Sequence, residues 1–101
     1  MDNEKKYQII NKFKAAVEDK YSISAIKLFG SFARGDNTEI SDIDIMVKLP
    51  IVNREIEEDL YNIAYDLELE YDCLLDIVLL PDDIGQHIPI YVNIEKEGVL
   101  I

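Results

Sequence analysis

Leu28-Phe29-Gly30-Ser31-Phe32-Ala33-Arg34-Gly35 is followed, across Asp36 to Ile40, by Ser41-Asp42-Ile43-Asp44-Ile45. Ser24 to Phe29 reads as a short strand that Gly30-Ser31 breaks, and Phe32-Ala33-Arg34 as one helical turn before Gly35. Asp36-Asn37-Thr38 carries turn chemistry, because short polar side chains satisfy their own backbone there. Ser41 to Leu49 reads as a second strand, stopped by Pro50. Side chains alternate along a strand, so Asp42 and Asp44 share one face while Ile43, Ile45 and Val47 fill the other. Two apolar strands thus bracket a turn, and the second carries two carboxylates side by side.

Outward from this stretch the period changes. Asp2 is placed to cap a first helix to about Asp19, whose apolar face is Ile9, Ile10, Phe13, Ala16 and Val17. Asn53 is placed to cap a second, about Arg54 to Glu70, with Ile56, Leu60, Ile63, Ala64 and Leu67 on its core face and acids opposite. Asp72 to Leu80 reads as a third strand that Pro81 stops, and a last helical turn is expected near Glu95 to Gly98. Helix, strand, turn, strand, helix, strand, helix implies an α/β or α+β sheet with helices packed on it.

At 101 residues the chain is expected to form one domain, 1–101. Apolar residues make up 49% and charged residues 31%, which argues against disorder. The N-terminus lacks an apolar signal stretch, no run is apolar and long enough to span a bilayer, and a single cysteine excludes an internal disulfide. The expected location is the cytoplasm, with no membrane partner. Ten Lys and Arg stand against 21 Asp and Glu, a formal net charge of −11, and residues 55–83 hold eleven acids and no Lys or Arg. Nucleic-acid binding rests on neutralising phosphates with cations, so direct binding of nucleic acid is not expected. The charge suits a cationic partner, or carboxylates that hold metal ions.

The carboxylates carry the chemistry. The Cα atoms of Asp42 and Asp44 lie roughly 6.5–7 Å apart on one strand face. Neighbouring carboxylates resist ionising together unless a hard cation sits between them, and Mg²⁺ favours carboxylate oxygens with phosphates and water. Asp76 stands alone in Leu74-Leu75-Asp76-Ile77-Val78-Leu79-Leu80. It is either a strand-end acid bonded to backbone or, if the third strand lies beside the second, the third member of the cluster. Three carboxylates can hold two divalent ions, which clamp the attacking and leaving oxygens of a phosphoryl displacement. Gly30 lets backbone approach a phosphate closely, and the turn N–H groups and the Ser31 hydroxyl can bind its oxygens. Acids for metal beside an anion-binding turn describe a nucleoside triphosphate site.

Gly30-Ser31, ten residues, then Asp42-Ile43-Asp44 resembles the signature of the DNA polymerase β-like nucleotidyltransferases. The fuller string Gly-Ser-Phe-Ala-Arg-Gly with Ser-Asp-Ile-Asp-Ile resembles their minimal members, the MNT proteins, which are often the antitoxins of HEPN/MNT toxin–antitoxin pairs. The resemblance implies a small mixed sheet with flanking helices, Mg²⁺ as two ions, and transfer of AMP from ATP. It implies that Gly30 and Ser31 bind triphosphate, that Asp42 and Asp44 bind metal, and that Asp76 is the third carboxylate. It implies a HEPN-type toxin as partner, an RNase modified on a tyrosine. Two alternatives stand beside it: an antitoxin without activity that binds its toxin stoichiometrically, and a small-molecule nucleotidyltransferase whose acceptor site comes from another subunit.

Other residues read as structural. Arg34 is expected to pair with an acid and hold the turn. Glu55, Glu57, Glu58 and Asp59 form a solvated face that favours the helix N-terminus. Cys73 is expected as a core filler, His87 has no partner pattern, and Tyr61 and Tyr65 are expected in packing or an interface.

Overall fold

The computed structural model describes residues 3–30, 42–83 and 88–101. Among these residues three helices, α1 (Asn3–Lys20), α2 (Arg54–Tyr71) and α3 (Pro89–Glu97), pack with four strands, β1 (Ala25–Phe29), β2 (Ile43–Leu49), β3 (Leu75–Pro81) and β4 (Val99–Leu100). The sheet order is β3-β2-β1-β4. β1 runs antiparallel to β2 and β4, and β2 runs parallel to β3, so the sheet is mixed. Parallel neighbours need a long crossover, and α2 supplies it.

The strand alternation sets two cores. Ile26 and Leu28 of β1, Ile43, Ile45, Val47 and Leu49 of β2, and Leu75 and Ile77 of β3 bury one face against α1 and α2. The helices contribute Ile9, Ile10, Phe13 and Val17, then Leu60, Ala64 and Leu67. Full burial of each large apolar side chain contributes roughly 1.5–3 kcal/mol. On the opposite face Met46 and Leu80 meet Tyr91 and Ile94 of α3. Lys48 ties that helix to β2, its Nζ donating to the Tyr91 hydroxyl at 3.1 Å and lying 4.9 Å from the ring centre. Phe29 of β1, Val78 of β3 and Ile88 pack against the same cluster.

α2 starts as its cap predicts: the Asn53 side chain accepts from the Ile56 N–H at 2.9 Å. Its end differs from the sequence expectation. Asp72 belongs to no strand; it closes α2 in the left-handed region, φ 52°, its N–H donating to the Glu68 carbonyl. An aspartate tolerates that conformation better than most residues, and adopting it ends the helix three residues before β3 begins at Leu75. Pro81 does not stop β3 but is its last residue, paired in register with Leu49, where a missing N–H costs least at a strand end. The expected turn at Glu95 to Gly98 is the end of a nine-residue helix that Pro89 opens, and the chain then adds the edge strand β4. The acid face of α2 is not wholly solvated. Asp59 accepts from Lys20 Nζ at 3.0 Å and from the Tyr21 hydroxyl at 2.7 Å, tying α2 to the end of α1. Among the described residues, no helix is long and apolar enough to cross a membrane.

Candidate active site

Register places the acids. Asp44 of β2 lies directly across from Asp76 of β3, and Phe29 at the end of β1 lies across from Asp44. Asp42 precedes β2 with the parity of Asp44, and the Ile43 N–H donating to the Leu74 carbonyl at 3.1 Å holds it beside the start of β3. The three aspartates expected from sequence therefore stand at one end of one sheet face. Asp42 and Asp44 are half-buried and Asp76 is exposed.

Gly30 completes this end. It follows β1 with φ +74°, and a Cβ built there would collide with a carboxylate oxygen of Asp44. Only glycine meets both demands, a left-handed backbone and a surface flush with a carboxylate. Ser31 and Arg34 lie outside the described residues, as do the turns expected between Phe32 and Thr38, and so does His87.

The electrostatics are those of crowded acids. Burial pushes the Asp42 carboxyl above its ordinary value, and the charge of Asp76 and a hydrogen bond with it push the same way. The charge of Glu68 adds to this, and that of Lys6 opposes it. Carboxylates this close repel one another, and oxygen donors of this kind fit a hard divalent ion. Among the described residues, no three potential ligands are already gathered around one point as a metal cage.

Two residues at this site carry no motif. Glu68 Oε2 accepts from the Leu75 N–H at 3.2 Å, which links the end of α2 to the start of β3 beside Asp76. Nothing local marks it, because it sits among other acids on its helix. Lys6 is 1% exposed, the one charged side chain among the described residues buried to that extent. A signal for it existed: positions 6, 9, 10, 13 and 17 share one helical face, and Lys6 occupies an apolar slot on it. A buried ammonium is stable only when paired, and the acids near Asp42 supply the negative field. Cys73 is half-buried and packs against the core as a filler, and burial pushes its thiol up.

The profile described as "Nucleotidyltransferase domain" matches residues 10–101. The chain belongs to that family. Gly30, Ser31, Asp42, Asp44 and Asp76 all fall inside the matched range. "Putative protein adenylyltransferase MJ1379" of Methanocaldococcus jannaschii is 56% identical over 41 residues, which is 41% of this chain and 41% of that protein. The match thus spans well under half of that relative. Among solved structures, a toxin–antitoxin complex with AMP-PNP aligns with a TM-score of 0.69 at 24% identity, over 89% of this chain and 69% of the other. The tri-AMPylated Shewanella oneidensis HEPN toxin in complex with MNT antitoxin aligns at 0.64 and 21% identity, over 93% and 69%. Likeness at this identity carries the fold: the mixed sheet and its helices are those of nucleotidyltransferases.

Proposed function

We propose that this chain is an Mg²⁺-dependent adenylyltransferase that moves AMP from ATP to a tyrosine hydroxyl of a HEPN-type RNase toxin, and so acts as its antitoxin. The observation that carries the reading is the meeting of Gly30, Asp42, Asp44 and Asp76 at one end of the sheet. The likeness to a complex of an AMPylated HEPN toxin with an MNT antitoxin, and to a toxin–antitoxin complex with AMP-PNP, supports the choice of partner.

In this reading the turn at Gly30 and Ser31 holds the triphosphate through backbone N–H groups and the serine hydroxyl. Asp42, Asp44 and Asp76 hold Mg²⁺, as two ions, which when bound offsets phosphate charge and orients the α-phosphate. Asp76, exposed and nearest to solvent, takes the proton of the acceptor hydroxyl. The acceptor oxygen forms its bond to the α-phosphorus as the bond to the bridging oxygen breaks, and pyrophosphate carries away that electron pair. Modification then adds a phosphate charge beside the toxin's RNA site, where it opposes RNA binding.

The test is intact mass spectrometry of a HEPN-type protein after incubation with this chain, ATP and Mg²⁺. A gain of one AMP residue per modified site is expected, and no gain with the Asp42→Asn/Asp44→Asn variant. Neutralisation of the toxin without a mass change, and equally by that variant, would sink the transfer reading in favour of stoichiometric binding.

A further inference from the structure

α2 presents an apolar stripe that the fold leaves uncovered. Tyr61, Tyr65 and Leu69 follow one another at intervals of four, so they line one side of the helix. They are 48%, 57% and 66% exposed, while Leu60, Ala64 and Leu67 face the core. Isolated exposed apolar residues need no explanation, but three in a row on a helix, two of them tyrosines, form a surface of the kind that binds proteins. The tyrosines add hydroxyls to a large apolar area at low entropic cost.

The surround selects the occupant. Glu55, Glu58, Asp66 and Glu70 are exposed on the same helix. Arg54 pairs with Glu58 at 3.1 Å and Lys12 with Glu70 at 3.2 Å, both as solvent-exposed pairs that offset little of the field. A second copy would bring another chain of net charge −11 against these acids, and nucleic acids or anionic lipid surfaces meet the same repulsion. A basic protein surface with an apolar recess gains from both features. The stripe also runs toward the site: Leu69 adjoins Glu68, which bonds the first residue of β3 one position before Asp76.

We propose that the Tyr61–Tyr65–Leu69 stripe with its acidic border is the docking surface for the acceptor protein, gripped through a basic rim around an apolar recess. This rests on the reading of the chain as a transferase acting on a protein. The probe is a purified HEPN-type protein, and the readout is its affinity by calorimetry, separate from transfer by mass spectrometry. Tyr61→Ala/Tyr65→Ala/Leu69→Ala, and independently Tyr65→Arg, are expected to keep the melting temperature and Mg²⁺–ATP binding while weakening the complex about tenfold or more. Raised salt is expected to weaken the unmodified complex as well. Unchanged affinity in both variants, salt-independent binding, or no complex with the unmodified chain would each overturn the docking surface. So would sedimentation in which the chain alone self-associates through the stripe, or its recruitment to anionic vesicles. Binding that depends on the stripe but yields no AMP on the partner leaves the surface standing and removes only the transfer reading.

Discussion

Gly30 adopts φ +74° at the end of β1, with the Asp44 carboxylate where a side chain would begin. Left-handed geometry costs an L-residue roughly 1–2 kcal/mol, so Gly30→Ala should lose about that much stability. The added methyl also displaces Asp44, so metal-dependent ATP binding should fall by more than the stability change implies. Calorimetry beside chemical denaturation separates the two, and unchanged ATP affinity would remove Gly30 from the site. Asp42 and Asp44 make the complementary case. Asp42 is pushed up mainly by burial and by Asp76 despite the opposing Lys6, so its ionised form is a net cost to the fold at neutral pH. Asp42→Asn/Asp44→Asn should therefore melt at or above the unmodified protein in EDTA while losing transfer. A lower melting temperature in EDTA would make the pair structural.

At the scale of the elements, α1 and α2 are joined where Lys20 and Tyr21 meet Asp59. The Tyr21 hydroxyl first, and then Lys20, hold the Asp59 carboxyl below its ordinary value. A depressed folded value means stability that is present above the unfolded carboxylate pKa and is lost as pH falls through the folded one. Tyr21→Phe removes the larger cause. It should lower the melting temperature at pH 7, and the gap from the unmodified protein should close as the solution is taken below the carboxylate range. A gap that stays constant down to that range would show that the ring, not the hydroxyl bond, stabilises the joint. A further polar contact between these helices, Lys12 with Glu70 and 5.0 Å from the Tyr71 ring centre, is exposed and screened by salt.

For the molecule as a whole, the two faces of the sheet have different work. The face under α1 and α2 is a continuous apolar core; the other is capped by α3 over Met46 and Leu80 and left polar where the aspartates gather. A ligand that binds the folded chain at that end raises its stability by mass action. ATP with Mg²⁺ at about 100 times its Kd should add about 2.7 kcal/mol, a rise in Tm of roughly 10–20 °C for a domain of this size. ATP in EDTA should give a much smaller shift. Equal shifts with and without Mg²⁺ would argue that the acids do not work through metal.

Local chemistry made much of this legible in advance. The helical periods of α1 and α2, the Asn53 cap, the shared parity of Asp42 and Asp44, and the glycine break after Phe29 all follow from interactions within a few residues. Strand order did not follow from them. Only the parallel pairing of β2 with β3 sets Asp76 across from Asp44, because register is decided by which apolar faces bury together. Long-range packing also completed α3 and the edge strand β4, and closed Lys6 away from water beside the acids. Periodicity along a chain reports which side of an element is apolar. What that side is pressed against, and which charges are trapped with it, depends on residues far away in sequence, and the fold alone brings them together.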